Sequence, residues 1–353
     1  MSNFFNFHDK DILLTSNIKD NIAYCNERLE DKNSWTPFLS FPVTKICNFK
    51  CLYCGIGGEA TASTRDVIEL PLIKQLVDLG IKNGVKKFRI TGGEPFAHKD
   101  IDNILKYFSD LGYFTLVNTN GSLILKHKDI LDKISQNIRF AVSLDTLKPE
   151  KLPKISGKDC LQDVLQGIRY LNERGLLLRV NMVVAKHNYN EIFDIINFCR
   201  ELGCDMKILD IVSVPVPYGH RSDYYQEVTT LEKELSEKCD GIYSHEYTRG
   251  FGTPCVKYRF GNTYVTVKNS VKGSHYDRKS GGICAKCKYF PCHEGLYDLF
   301  ALSDGRLCAC RWTEKQQFDN ADEQMKFLIS AFRRADYIPK KGNKDMEERE
   351  DLK

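Results

Sequence analysis

The chain has 353 residues, 42% of them hydrophobic, enough for one large α/β domain with an appendage and a sizeable core. Its 51 basic and 47 acidic residues leave a formal charge of only +4, which is no footprint of a nucleic-acid binder. No stretch approaches the ~18 apolar residues of a membrane span, and the N-terminus lacks the basic region and apolar run of a signal peptide. Fourteen cysteines without a secretion signal point to a reducing, cytoplasmic compartment and to metal rather than disulfides.

Residues 1–37 are polar and helix-like, and read as an N-terminal strap in which the isolated Cys25 only packs. From Phe38 onward, apolar strand runs alternate with amphipathic helical patterns. The predicted strands are Phe38–Thr44, Lys87–Thr91, Phe114–Asn118, Arg139–Leu144, Leu177–Val184 and Met206–Val212. Between them lie predicted helices at Pro71–Asn83, Ile101–Leu111, Asp129–Ile134, Cys160–Arg174 and Glu191–Leu202, several stopped by glycine. This alternation implies right-handed crossovers and a parallel sheet. Six units fall short of a closed eight-fold barrel. The fold class is therefore α/β, a partial (β/α)6 TIM barrel over residues 38–228, with its site at the C-terminal ends of the strands. A small C-terminal domain is expected over 229–337, followed by a charged, solvated tail at 338–353.

Directly after the first strand comes Cys47-Asn48-Phe49-Lys50-Cys51-Leu52-Tyr53-Cys54. Thiolates are soft ligands, and three closing on one point suit an iron–sulfur cluster. A cubane usually takes four protein ligands, so three leave one iron open to bind something that reacts. A zinc knuckle would want a fourth Cys or His nearby, and none follows before His98. The second strand ends Arg89-Ile90-Thr91-Gly92-Gly93-Glu94-Pro95. Its glycines permit close backbone approach, Glu94 adds a carboxylate at what reads as an accessible mouth, and Pro95 stiffens the exit. That suits a ligand carrying an ammonium group. Further polar residues stand at the strand ends: Asn118-Thr119-Asn120-Gly121, Ser143-Leu144-Asp145 and Arg179-Val180-Asn181. Asp145 alone reads as an ordinary satisfied strand-end group.

The three-cysteine spacing with an aromatic before the last cysteine, followed one βα unit later by Gly-Gly-Glu-Pro, resembles the radical S-adenosylmethionine (SAM) superfamily. The order of Val43-Thr44, the cysteine loop, Arg89-x-Thr91-Gly92-Gly93-Glu94-Pro95, Thr119-Asn120-Gly121, Val142-Ser143-Leu144-Asp145-Thr146-Leu147 and Asn181-Met182-Val183-Val184 resembles its GTP 3′,8-cyclases. The likeness covers roughly residues 38–212, more weakly to Arg311. It implies that Cys47, Cys51 and Cys54 hold a [4Fe-4S] cluster whose open iron chelates SAM, and that an electron from it splits SAM into methionine and a 5′-deoxyadenosyl radical. It implies SAM contacts from Tyr53, near the adenine, and from Gly92, Gly93, Glu94, Pro95, Asn120, Ser143 and Asn181. Arg89 and Arg179 are the expected substrate contacts.

A second cysteine group follows: Cys284-x-x-Cys287-x4-Cys292, then Cys308-Ala309-Cys310. Cys-x-x-Cys with distant cysteines is a metal signature, tetrathiolate zinc or iron–sulfur. Resemblance to the cyclases' auxiliary domain makes it a second [4Fe-4S] cluster, with Cys284, Cys287, Cys292 and Cys310 as ligands and Cys308 spare. Cys160, Cys199, Cys204 and Cys239 are scattered and read as packing.

Departures from the cyclases bear on the substrate. An arginine expected just before Val43-Thr44 is Ser40, and two expected before Asp304-Gly305 fall near Asp298 and Phe300. An aspartate there repels the phosphate that arginine would grip. The leading expectation is therefore a radical SAM enzyme acting on a small molecule such as a nucleoside, sugar or natural-product intermediate. The alternatives are a peptide maturase, a true GTP 3′,8-cyclase and a non-catalytic metal-binding module. An electron donor such as flavodoxin or ferredoxin is the expected partner, with no nucleic acid and no membrane.

Overall fold

Apolar runs bounded by polar turns become strands here within about three residues of their expected ends. The computed structural model describes residues 12–13, 37–54, 67–211, 220–245, 255–269, 298–309 and 320–334. In chain order the strands are β1 (Ile12–Leu13), β2 (Phe38–Thr44), β3 (Lys87–Gly92), β4 (Phe114–Thr119), β5 (Ile138–Ser143), β6 (Leu177–Val183), β7 (Asp205–Leu209), β8 (Gly241–His245), β9 (Cys255–Phe260), β10 (Thr263–Lys268), β11 (Asp298–Ala301) and β12 (Leu307–Cys308). The helices are α1 (Leu70–Lys82), α2 (Ile101–Leu111), α3 (Lys128–Leu131), α4 (Leu152–Ser156), α5 (Leu161–Glu173), α6 (Ile192–Leu202), α7 (Arg221–Tyr224), α8 (Thr229–Lys238) and α9 (Ala321–Arg334).

Strands β2 to β7 pair in sequence order, every pair parallel, as the alternation requires. The sheet does not stop at six. β10 adds in parallel to β7 and β11 adds in parallel to β2, so eight parallel strands run side by side. Antiparallel β9, β8 and β1 continue beyond β10, and β12 continues beyond β11. The physical reason is the edge: β2 and β7 would otherwise each present a row of unpaired backbone groups. The stretch expected to form a separate C-terminal domain thus supplies strands to both edges of the barrel sheet.

One face of the parallel strands packs under the helices. Phe41 and Phe88 lie on Phe108 of α2, with ring centroids 5.9 and 5.5 Å away, and Leu39, Val43, Ile90, Val142, Val180, Met206 and Ile208 are buried in the same core. At the β12 edge, α9 substitutes a side chain for a strand: Gln324 donates to the Leu307 carbonyl at 2.6 Å and accepts from its amide at 2.9 Å. No described helix is long and apolar enough to cross a membrane. Short α4, which no sequence pattern announced, lies beneath the cysteine loop and matters to the site.

Candidate active site

The cysteine loop leaves β2 at Thr44 and is tied down in three places. At its entry, Gly93 N–H donates to the Thr44 carbonyl at 2.7 Å and Glu94 N–H to that of Ile46 at 2.8 Å. The approach is so close that a Cβ on Gly92 would run into Thr44's carbonyl oxygen, and one on Gly93 into those of Ile46 and Lys45. Gly92 also takes φ 143°, where only glycine is at ease. The two glycines thus let β3 abut the loop's entry. At its exit, Lys50 and Leu52 N–H donate to the carbonyls of Ser156 and Ile155 at 2.7 and 3.0 Å, filling acceptors that the C-terminus of α4 would otherwise leave open. In its middle, Asn48 binds Ser122 and Asn120, beyond β4.

Two buried carboxylates hold the frame behind the loop. Glu94 is fully buried, which corrects the expectation of an accessible mouth. Its oxygens accept from Phe96 N–H at 3.0 Å, the Thr119 hydroxyl at 2.7 Å and Asn120 N–H at 2.7 Å. Burial pushes its pKa up to about 7 against those three donors, which pull it down. Asp145 accepts from the Tyr53 hydroxyl and, at 2.9 Å, from Val183 N–H; burial raises it to about 6. Asp145 is therefore satisfied, as read from the sequence, and it joins the loop to the ends of β5 and β6. Tyr53, expected at an adenine, has its hydroxyl engaged by Asp145, and burial raises it well above the usual phenol range.

Cys47, Cys51 and Cys54 feel one another's charge, and burial pushes Cys47 up to about 12 and Cys51 well above its usual value. Without metal the Cys47 and Cys51 thiols stay protonated, so loading must displace protons. Among the described residues no three metal-ligating side chains converge as closely as one ion needs. A cubane asks for a wider triangle, because each thiolate takes a different iron. The donor set fits that group: three soft sulfurs on one anchored loop, with Phe49 N–H donating to Cys47 Sγ at 3.3 Å. Cys284, Cys287, Cys292 and Cys310 lie outside the described residues; Cys308 is buried on β12.

Arg89, Ser143, Arg179 and Asn181 stand on the sheet face opposite the helices. Ser143 and Asn181 are in register at the ends of β5 and β6, and Asn181 Oδ1 accepts from Arg179 Nε at 3.0 Å. Arg89 stacks on Phe38 at 4.5 Å and pairs with the Asp298 carboxylate. Pro95, buried, begins a 3₁₀ turn capped by Glu94. In register across the parallel strands, the same face carries Lys87, Arg139, Lys207 and Lys268, none of which the motifs suggested. Set against them are Asp205 and Asp298. Counting period-2 positions along the predicted strands would have found the first three. The barrel lumen is thus cationic, six basic side chains to two carboxylates on the described parallel strands, although the whole chain is nearly neutral. Burial lowers Lys87 to about 8, so an anion beside it would hold it charged.

A family model described as the radical SAM superfamily matches residues 41–209. A probable GTP 3′,8-cyclase of Methanothermobacter marburgensis is 31% identical over 286 residues, 77% of this chain and 83% of that protein. One of Sulfurisphaera tokodaii is 31% identical over 288 residues, 80% of this chain and 84% of that protein. Among solved structures, Streptococcus suis SuiB bound to S-adenosylmethionine matches with a TM-score of 0.60 at 20% identity, covering 89% of this chain and 70% of SuiB; at that identity the likeness concerns the fold.

Proposed function

Since this chain belongs to the radical SAM superfamily and is an enzyme of that class, we propose that its substrate is a purine nucleotide handled in the manner of a GTP 3′,8-cyclase. The missing arginines ranked this reading last among the enzymes on sequence; two findings now favour it. The relatives that span most of the chain carry that name, and the lumen's cations offer a triphosphate what Ser40 does not. The lumen charge carries the reading, because a face of six basic and two acidic groups inside a chain of net +4 is a local excess that an anionic ligand would neutralise.

In this reading Cys47, Cys51 and Cys54 hold the [4Fe-4S] cluster, which when bound supplies the electron that splits SAM. Ser143 and Asn181, at adjacent strand ends, offer hydroxyl and amide groups to SAM. Arg179 and Lys207 hold phosphate oxygens, and the buried core beneath excludes water. A second cluster on Cys284, Cys287, Cys292 and Cys310, and an external donor such as flavodoxin or ferredoxin, belong to the same proposal. The Asp298 carboxylate on Arg89 favours a second reading, a less charged small molecule such as a nucleoside or sugar. The test is anaerobic reconstitution with SAM and reductant, following 5′-deoxyadenosine and substrate by mass spectrometry. The cyclase reading expects GTP to be consumed and to raise 5′-deoxyadenosine above the substrate-free rate. SAM cleavage that GTP neither accelerates nor accompanies would reject it in favour of the second reading.

A further inference from the structure

One residue of the cysteine loop has no part in the ligand set, yet it is firmly held. Asn48 Nδ2 donates to Ser122 Oγ at 2.9 Å, and its Oδ1 accepts from Asn120 Nδ2 at 2.8 Å. Asn120 Oδ1 in turn accepts from Ser122 N–H at 3.0 Å and from Ser122 Oγ–H at 2.7 Å. These bonds leave little freedom to the Asn120 amide. Its oxygen is occupied by Ser122, so its nitrogen faces the loop, where Nδ2 stands 4.0 Å from Cys47 Sγ, at the long end of hydrogen bonds to sulfur. Asn120 is also buried, and its backbone is pinned by Glu94.

We propose that Asn120 tunes the cluster through an N–H···S bond to Cys47, and that Asn48 and Ser122 are positioning residues that aim it. This rests on the cluster reading above. The chemistry is electrostatic. Reduction adds negative charge that spreads onto the ligand sulfurs, so a donor aimed at one of them stabilises the reduced state more than the oxidised and raises the reduction potential. Asn120 then bears on how readily the cluster accepts its electron, whereas the motif alone made it a contact to SAM.

The test is a redox titration of the intact, anaerobically reconstituted protein without SAM. It is followed by electron paramagnetic resonance of the reduced cluster, identified by the change in its signal when SAM is added afterwards. Asn120→Ala is expected to lower the equilibrium constant for one-electron reduction about tenfold, a fall of about 59 mV. Asn120→Asp, with the same shape and a carboxylate toward the sulfur, is expected to fall further. Ser122→Ala, which frees the Asn120 oxygen, is expected to fall by less, and it carries the test together with Asn120→Asp if Asn120→Ala does not fold. Variants that keep their iron and titrate at the parent potential would overturn the proposal, as would a loss confined to SAM affinity. A parent protein that takes up no iron would instead refute the cluster reading.

Discussion

Replacing Glu94 with alanine removes the acceptor on which three donors depend: Phe96 N–H, the Thr119 hydroxyl and Asn120 N–H. Each buried donor left unmet costs about 1–3 kcal/mol. The hydroxyl is a rotor and recovers part of its share. The two amides are fixed by the backbone and recover little. Deleting the carboxylate also relieves the burial that holds its pKa near 7, which offsets some of the loss. The net expectation is roughly 3 kcal/mol of lost stability, within the ~5–15 kcal/mol a domain has in total. The assay is urea unfolding of the metal-free protein, compared with SAM affinity by calorimetry in the loaded protein. A metal-free variant within about 0.5 kcal/mol of the parent, together with lost SAM binding, would refute this reasoning and return Glu94 to the ligand side of the mouth.

Three further predictions concern the same frame. Gly93→Ala places a Cβ against the carbonyls of Ile46 and Lys45, so the loop entry must move; cluster content should fall sharply while the barrel stays folded at a cost of about 1–3 kcal/mol, and full iron content would contradict the fit. Replacing Cys47, Cys51 and Cys54 together by alanine should abolish SAM cleavage and remove about four irons per protein; unchanged iron would count against the ligand set. Glu94 and Asp145 both bind a proton more tightly folded than their usual values allow. Their contribution to stability is therefore greatest below the ordinary carboxylate range and is lost as pH rises through about 6 to 7, at about 1.4 kcal/mol per group per pH unit. The stability of the parent relative to Glu94→Gln, from urea midpoints, should accordingly fall between pH 5 and pH 8, and a rise would contradict the sign.

The six central strands were legible because each places apolar side chains at every second position between turn residues, and the cysteine loop because metal-ligand spacing is local. What escaped was long-range. Nothing around Glu94 tells that Thr119 and Asn120 will close over it, 25 and 26 residues on. Asn48 and Ser122 are 74 residues apart, and nothing in the cysteine loop or after Gly121 tells that the two will meet. α4 was missed because Leu152–Ser156 makes little more than one helical turn. The lumen charge was half visible: Arg89 and Arg179 were found from motifs, but Lys87, Arg139 and Lys207 needed the period-2 face that the strand assignments already contained. The extension of the sheet was not legible, since Asp298–Ala301 and Thr263–Lys268 carry no mark of which edge they will join.

The pairing of β11 with β2 joins Asp298 to Phe38 across about 260 residues of chain, and that separation orders events during synthesis. At the ~5–20 residues per second of translation, the cysteine loop emerges tens of seconds before the strand that completes its flank. Throughout that interval the β2 edge stands open and the three thiols have no finished pocket around them. Contacts so distant in sequence close late and slowly, so iron delivered early meets a half-built site. The nascent chain therefore gains from whatever shields the open β2 edge until Asp298 arrives, and an abrupt truncation before β11 would leave a chain that carries every cysteine of the loop yet exposes the strand beside it to aggregation.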